Sequence, residues 1–207
     1  MTRKATEPRR LRTPTLTAQD WAEAALQLTA ERGLHGLTID ALADRLDVTK
    51  GSFYWHFQSR SELLEAALTR WEHRATEETM RGLEAIEDPR RRLEVMLEAA
   101  SQAPRSRSLY AALAEAVAEP LVAAALQRVA SVRIQYLENC YLQLGLSPVR
   151  ARTHAVLAYA AYRGLLQLAH EACSVLPADW SSYATVVRGA LTPPVAQKIA
   201  GKKKRGP

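Results

Sequence analysis

Apolar residues recur at helical spacing between residues 37 and 64, and this pattern predicts two short helices separated by a tight turn. Thr38 is a favourable N-cap residue for the first helix. The inner face of that helix carries apolar residues at positions i, i+3, i+4 and i+7, which are Ile39, Leu42, Ala43 and Leu46. A new pattern begins at Val48, so the first helix is predicted to end near Asp47.

The second short helix, predicted from residue 50 to about residue 56, has an unusual surface for a core element. Phe53 and Phe57 lie four residues apart and can anchor it. The rest of its surface consists of Lys50, Ser52, Tyr54, Trp55 and His56. Gly51 costs a helix interior roughly 1 kcal/mol relative to Ala, but its missing side chain would let the backbone approach a phosphate or a base edge. The pattern is typical of a helix-turn-helix whose second helix enters the DNA major groove; the alternative is a short amphipathic helix that tolerates surface aromatics.

Seven further helices are predicted around this pair, which gives an all-α chain of about nine helices. Thr17 with Asp20, and Ser59 with Glu62, have the spacing of capping boxes at the starts of the first and fourth helices. Proline and glycine mark most of the other helix ends. The seven ranges are approximately 18–32, 60–86, 89–103, 106–118, 120–144, 148–172 and 180–191. No segment has the period of two that marks a strand.

Residues 33–64 resemble the DNA-binding domain of the TetR family of bacterial transcriptional regulators. The positions that match the family pattern are Gly33, Gly36, Leu37, Thr38, Ile39, Ala43, Leu46, Val48, Thr49, Gly51, Ser52, Phe53, Tyr54, His56, Phe57, Ser59, Arg60, Leu63 and Leu64. The resemblance covers about the first 65 of the 207 residues, and its motif is specific. Asp47 stands where the family usually has Gly, but Asp tolerates left-handed backbone better than most residues. Arg60 replaces the usual Lys, which keeps the charge and changes its geometry.

The resemblance implies that the second short helix and its flanks face DNA. Phosphates would be bound by Thr38, Thr49, Tyr54, His56 and Arg60. Base edges would be contacted by Lys50, Ser52 and Trp55, where Gly51 lets the backbone come close. Because phosphate contacts set the register and base contacts set the sequence preference, loss of Arg60 is expected to weaken binding to all DNA sequences alike.

The resemblance also implies a small-molecule site and a homodimer interface in the remaining helices. The domains would then be a basic arm at 1–16, a helix-turn-helix domain at 17–64, an effector-binding and dimerisation domain at 65–194, and a basic tail at 195–207. Ligand candidates are Trp71, Met80, Leu83, Met96, Tyr110, Leu113, Tyr136, Cys140, Tyr141 and His154. Dimer-interface candidates are Val156, Tyr159, Tyr162, Leu166, Trp180, Tyr183 and Val187. For all of these residues, packing in the core of a monomer is the alternative.

Basic residues are concentrated at the two ends of the chain, whose net charge is +6. Residues 1–16 contain five Lys and Arg against one Glu, and residues 195–207 contain five Lys and Arg with no acidic residue. The body between them is therefore mildly acidic. A basic arm ahead of the first helix is suited to DNA, with a solvated tail as the alternative, and the C-terminal run is interpreted as a solvated tail.

Several classes of protein and site lack support in the sequence. No uncharged run approaches the ~18 residues of a membrane span, and the basic N-terminus is not followed by the apolar core of a secretory signal. Cys140 and Cys173 are far apart and suit a reducing cytosol, so a cytoplasmic location is expected and a structural disulfide is not. We found no catalytic motif, no metal-ligand spacing and no phosphate-binding glycine loop, so neither an enzyme nor a cofactor or metal site is predicted.

The sequence therefore predicts a dimeric, one-component regulator that binds a palindromic site on double-stranded DNA. The expected mechanism is that of a repressor released from its operator by an unidentified small molecule, whose differential affinity shifts the protein between two states. Three alternatives belong to other classes. A helical enzyme would need a catalytic constellation, which the sequence does not show. A non-specific DNA-binding protein would bind all sequences equally, and a helical protein-interaction module would tolerate loss of Lys50 and of the Tyr54 hydroxyl.

Overall fold

The computed structural model describes residues 16–101 and 109–194, and within these ranges it contains ten α-helices and no strand. The all-α prediction is confirmed. The nine predicted helices all have counterparts, because the predicted helix over 60–86 corresponds to two α-helices joined by a π-helical turn. Nearly all of the predicted basic arm, the whole C-terminal tail and the predicted start of the helix over 106–118 lie outside the described residues.

Three helices form the N-terminal unit, namely α1 (Ala18–Arg32), α2 (Ile39–Leu46) and α3 (Lys50–Tyr54). The capping box predicted for α1 is present, since the Thr17 hydroxyl accepts from the Asp20 N–H and the Asp20 carboxylate accepts from the Thr17 N–H at 2.7 Å. Trp21 of α1 and Phe53 of α3 are fully buried, and their rings meet edge to face at 5.5 Å. This contact fixes α3 to the core and leaves its other side outward.

The turn between α2 and α3 depends on one left-handed residue. Asp47 has φ 54° and ψ 48°, which is the left-handed conformation. The family pattern usually has Gly at this position. The Val48 N–H then donates to the Ala43 carbonyl at 3.0 Å, which closes the end of α2. A second close approach occurs at Gly36, where a Cβ would lie 2.5 Å from the Arg32 Cβ. The tight path from α1 to α3 therefore has specific backbone requirements at both positions.

One long helical segment leads out of the N-terminal unit. It consists of α4 (Arg60–His73), a π-helical turn (Arg74–Glu78) and α5 (Thr79–Glu84). The Ser59 hydroxyl caps α4 by accepting from the Glu62 N–H at 3.2 Å, whereas the Glu62 carboxylate accepts from the N–H of Gln58 at 2.7 Å and not from that of Ser59. The sequence predicted an uninterrupted helix here. A single wider turn after α4 does not alter the apolar spacing within α4, so the sequence pattern gives no sign of it.

The remaining helices form the body of the molecule, and they are α6 (Pro89–Ala100), α7 (Leu109–Glu115), α8 (Pro120–Gln143), α9 (Pro148–Glu171) and α10 (Trp180–Leu191). Proline occupies the first turn of α6, α8 and α9, where its missing N–H has no helical partner to lose. Asp88 and Asp179 cap α6 and α10. The two longest helices, α8 and α9, pack against each other.

Two clusters of buried apolar side chains hold these helices together. The first joins α1, α3, α4, α7 and α8, and so runs from Trp21 and Phe53 through Trp71 and Leu113 to Val129. The second joins α6, α8, α9 and α10. Because the first cluster includes residues of both the N-terminal unit and the body, the two parts share one continuous core through α4 and α7.

The left-handed turn generates a prediction about stability. Replacing Asp47 by Val is expected to lower the free energy of unfolding by about 1–2 kcal/mol, since a β-branched residue is strained in left-handed backbone, which Asp tolerates. Replacing Asp47 by Gly, the matched control, is expected to change it by less than about 1 kcal/mol. Urea unfolding followed by circular dichroism measures both variants, and equal losses would contradict the assignment of this role to the backbone conformation.

Candidate nucleic-acid interface and the cavity behind it

Two large aromatic side chains project from the outer surface of α3. Tyr54 is 61% exposed and Trp55 is 87% exposed, whereas Phe53 and Phe57 on the inner side are buried. The Tyr54 ring contacts the Phe53 ring edge to face at 5.2 Å, so the core holds its position while its hydroxyl faces outward. Exposed aromatics of this size side by side on a short helix indicate a contact surface.

The polar residues of α3 are available on the same surface. The Lys50 ammonium forms an ion pair with the Asp40 carboxylate, but both side chains are largely exposed, so the pair contributes little and a phosphate or base can replace it. A Cβ at Gly51 would meet only Thr49 Oγ1, at an ordinary 3.6 Å. Among the described residues no contact therefore requires glycine at position 51, in contrast to Gly36.

The two predicted phosphate-binding threonines differ in what their hydroxyls do. The Thr38 hydroxyl accepts from the Ala41 N–H at 3.1 Å and so caps α2. Thr49 directly precedes α3, but its side chain makes no capping bond and only its carbonyl accepts, from the Ser52 N–H at 2.9 Å. Its exposed hydroxyl is therefore available to an outside partner. Ser52 and His56 are half-buried at the edge of the same surface.

The side chain of Arg60 lies against the N-terminal unit. Its Nε donates to the Leu37 carbonyl at 2.7 Å and its Nη2 donates to the Leu34 carbonyl at 3.0 Å. These bonds hold the 3-10 turn Leu34–Gly36 and the start of α2 against α4. Where the sequence predicted a phosphate contact, the structure shows a brace inside the unit, and this brace uses the planar, forked geometry that distinguishes Arg from Lys.

We call the continuous segment of α4, the π turn and α5 the linker segment. Ion pairs connect this segment to α1 on the other side of the unit. The Glu23 carboxylate accepts from Arg70 Nε of α4 at 2.7 Å and from Arg74 Nη1 of the π turn at 3.0 Å. The hydrogen bond from Arg70 is the main reason that the pKa of Glu23 is lowered. The start of the π turn is therefore bound to the N-terminal unit, which matters for any motion passed along this segment.

A cavity of about 480 Å³ lies in the body, between the linker segment and helices α6, α8 and α9. Its size is within the range of small-molecule sites. Its wall is mostly apolar, with Thr79, Arg133, Tyr159 and Tyr162 as the side chains that carry polar groups. The other lining residues are Ala75, Met80, Gly82, Leu83, Val95, Met96, Leu97, Ala99, Ala100, Leu137 and Ala158.

Arg133 connects this cavity to the π turn. Its Nε and Nη2 donate to the Ala75 carbonyl at 3.0 and 2.8 Å, and its guanidinium lies 5.6 Å from the centre of the Tyr162 ring. On the other side of the wall the Tyr159 hydroxyl is 3.0 Å from the Tyr110 hydroxyl of α7. Burial is the main reason that the pKa of Tyr110 is raised far above its ordinary value, so this hydroxyl stays protonated.

The structure brings together only part of the predicted ligand site. Met80, Leu83 and Met96 line the cavity. Trp71, Tyr110 and Leu113 lie instead in the core cluster shared with the N-terminal unit. The remaining four candidates, none of which lines the cavity, are Tyr136, Cys140, Tyr141 and His154.

Those four residues lie on or against α8. The Tyr141 hydroxyl donates to the Leu191 carbonyl at 2.8 Å and ties α8 to the end of α10, while its ring lies 5.3 Å from that of His154. Burial raises the pKa of the Cys140 thiol, which is free. The Tyr136 hydroxyl is buried and has no hydrogen-bond partner among the described residues. Within the described residues their surroundings are those of core packing.

The predicted dimer residues divide into three groups by their surroundings. Val156 is exposed, but Tyr159 and Tyr162 line the cavity, and Leu166, Trp180, Tyr183 and Val187 are half-buried. The outward strip of α9 consists of the small residues Thr153, Ala160 and Gly164 together with Val149, Val156, Leu157 and Leu168. On α10 the outward positions are Ser182, Thr185, Val186, Gly189 and Ala190. These strips have the helical spacing of a packing surface, a signal that was present in the sequence but hidden by apolar residues all round α9.

Two further kinds of feature were searched for in residues 16–101 and 109–194. No helix there combines the length and the apolarity that crossing a membrane requires. No three His, Cys, Asp or Glu side chains in these ranges are grouped as ligands of a metal ion.

Comparison with known proteins places the sequence likeness in the N-terminal unit. Residues 22–67 match the family model of the bacterial regulatory proteins of the tetR family. The HTH-type transcriptional regulator SrpR of Pseudomonas putida is 37% identical over 57 residues, which are 28% of this chain and 27% of SrpR. The chain thus matches about a quarter of the length of this relative.

Likeness of fold extends over most of the chain. A transcriptional regulator from Rhodococcus sp. Rha1 has a TM-score of 0.69 at 23% identity, over 85% of this chain and 96% of that one. AibR, solved in complex with isovaleryl coenzyme A and operator DNA, has a TM-score of 0.60 at 19% identity, over 86% of this chain and 98% of that one. The fold is therefore shared over most of the chain, although sequence identity over that length is low.

The position of Arg60 generates a second prediction. Replacing Arg60 by Ala is expected to lower the free energy of unfolding by about 1–3 kcal/mol, because two carbonyls lose a charged donor. Lys at this position is expected to restore only part of the loss, since an ammonium cannot form the same fork. Urea unfolding measures these variants beside Arg81→Ala, which removes an exposed arginine of α5. A side chain that served only to bind phosphate would leave unfolding unchanged.

Proposed function

Because the chain belongs to the TetR family of bacterial regulatory proteins, we propose that it is a one-component transcriptional regulator that binds a specific, partly palindromic DNA site in the cytoplasm. The observation that carries this proposal is the outer surface of α3. Lys50, Tyr54 and Trp55 project from it, while Phe53 on the opposite side fixes the helix in the core. A surface of this kind fits the major groove of DNA.

The residues of this surface divide into two roles. Lys50 and Ser52 are suited to base edges, since an ammonium can bind guanine and a hydroxyl can bind any base. Trp55 is suited to an apolar contact. Thr38, Thr49, Tyr54 and His56 are suited to phosphates at the rim of the groove, and Arg60 supports them from within the unit.

A homodimer is the assembly in which two such helices bind successive major grooves. The outward strips of α9 and α10 support this assembly, because small residues let helices approach closely and because the strips leave apolar area exposed in the single chain. Packing of the two strips against those of a second copy would form a four-helix interface.

The cavity supports control of DNA binding by a small molecule. It is mostly apolar, it has a few polar groups, and one wall is formed by the segment that continues α4. AibR, which shares the fold, has been solved with isovaleryl coenzyme A and operator DNA together. We therefore propose a repressor whose effector changes the angle or spacing of the two DNA-binding units.

Selection of bound fragments from genomic and random DNA tests the function directly. The purified full-length protein is incubated with the DNA pool at about physiological salt, since affinities depend steeply on salt. Recovery of one partly palindromic sequence is expected. Recovery of no preferred sequence would contradict specific regulation and favour the non-specific alternative.

Lys50 and its ion-pair partner provide a matched test of base contact. Lys50→Ala is expected to weaken binding to the selected site by about 1–3 kcal/mol and to relax the preference at one base pair. Asp40→Ala breaks the same ion pair but keeps the lysine, so it is expected to retain the preference. Fluorescence anisotropy on the selected site and on single-base variants measures both. Loss of preference in both variants, or in neither, would contradict direct base contact by Lys50.

Two valines of equal exposure test the dimer interface. Val156 on α9 and Val132 on α8 are each 44% exposed, but only Val156 lies on the outward strip of α9. Val156→Glu is expected to convert the dimer to monomer, because burying an unpaired carboxylate costs several kcal/mol, and to weaken operator binding about tenfold or more. Val132→Glu is expected to remain a dimer. Light scattering after size-exclusion chromatography measures the oligomeric state of both variants. A Val156→Glu variant that remains dimeric would contradict this interface.

A further inference from the structure

The chemistry of the cavity wall restricts what can bind there. Its described lining is apolar over most of its area, including the flexible side chains of Met80 and Met96. Arg133 is the one charged residue among the described lining residues. An occupant that satisfies this wall has an apolar body and one acceptor group that can be placed against a guanidinium.

The charge of Arg133 is not neutralised within the described part of the chain. No carboxylate there forms an ion pair with it, and its partners are the Ala75 carbonyl and the Tyr162 ring. A carbonyl is a weaker partner for a guanidinium than a carboxylate, which can accept two parallel charge-assisted hydrogen bonds. The single positive charge of Arg133 is matched by a ligand with one negative charge. A phosphate monoester, which carries about −1.5 to −2 at neutral pH, would be left with excess negative charge.

The carbonyl that Arg133 holds belongs to the π turn of the linker segment. A π-helical turn is rare and is frequently found at functional sites. This turn is bound from both sides, because Arg74 at its start pairs with Glu23 of α1 and Ala75 accepts from Arg133 of α8. The Thr79 hydroxyl, which also lines the cavity, donates to the Arg74 carbonyl at 3.1 Å. A change at Arg133 therefore acts on the backbone that leads to α1 and α3.

We propose that the cavity binds an apolar monocarboxylate whose carboxylate takes Arg133 from the Ala75 carbonyl, so that occupancy loosens the π turn and weakens DNA binding. The inference rests on the proposed function, because it names the effector class and the coupling element of that regulator. A monocarboxylate differs from a coenzyme A ester in charge. The several phosphates of such an ester would have only one cation, Arg133, among the described lining residues.

Binding is tested first, without DNA, by calorimetry on the full-length protein. Octanoate is the probe, octan-1-ol is its uncharged match, and octanoyl coenzyme A is the competing class. Octanoate is expected to bind about tenfold or more tighter than octan-1-ol, as a hydrogen-bonded charge requires. Equal binding of the acid and the alcohol, no binding of octanoate, or tighter binding of the coenzyme A ester would each overturn the proposal.

Three variants assign the effect to Arg133. Arg133→Met keeps the apolar stem and is expected to abolish the preference for the acid, and Arg133→Lys is expected to keep part of it. Arg128→Met is the matched control, because Arg128 also joins α8 to the linker, through Glu72 at 2.6 and 2.8 Å, but does not line the cavity. Thermal unfolding checks that each variant folds. If Arg133→Met does not fold, the ligand preference of Arg133→Lys tests the assignment. An unchanged preference in the Arg133 variants would overturn the assignment.

The coupling is tested on the selected DNA site by fluorescence anisotropy. Saturating octanoate is expected to weaken DNA binding about fivefold or more in the unmodified protein and in Arg128→Met, within the usual range of coupling energies. Arg133→Met is expected not to respond. Octanoate binding that leaves DNA affinity unchanged would overturn the coupling alone. Failure to select any DNA site would instead contradict the proposed function, and the calorimetry would still test the ligand class.

Discussion

The burial of one face of α4 is the constraint on which the rest of the structure depends. Leu63, Leu64, Ala67, Leu68 and Trp71 all lie on that face and all belong to the core cluster that contains Trp21 and Phe53. The same cluster continues into α7 and α8. Close-packed interiors transmit displacement and do not absorb it, so α4 cannot turn without moving either the N-terminal unit or the body. This packing makes the DNA-facing surface and the cavity parts of one mechanical system.

Polar contacts determine where along this system a change can begin. Apolar packing of the α4 face is non-directional. The π turn that follows α4 instead makes specific hydrogen bonds, from Arg74 to Glu23 and from Arg133 to the Ala75 carbonyl. Hydrogen bonds are directional, and a donor can exchange one acceptor for an acceptor on a ligand. The π turn is therefore the place where a small molecule can compete, and α4 is the part that carries the result.

The sequence predicted the helices and the division of residues 53–57 into buried and exposed side chains because both depend on local chemistry. A capping threonine, an aspartate at a left-handed turn and two phenylalanines four residues apart each determine their own neighbourhood, and Thr17, Asp47, Phe53 and Phe57 adopt the expected roles. The role of Arg60 could not be predicted in this way. Its partners are carbonyls 23 and 26 residues earlier, and a positive charge near a DNA-facing helix has the same sequence pattern whether it faces inward or outward.

The cavity and the dimer strip were harder to predict because periodicity identifies faces without identifying what covers them. Helix α9 is apolar or small on nearly every side, so Tyr159 on the cavity wall and Ala160 on the outward strip are neighbours in sequence with opposite surroundings. Large aromatics suggest an interface by their size, yet the hydroxyl of Tyr159 lies in the interior, 3.0 Å from the hydroxyl of Tyr110. Small residues are left outside, where close approach of a second helix needs them. Three-dimensional packing thus places the cavity wall and the proposed dimer surface on two sides of α9.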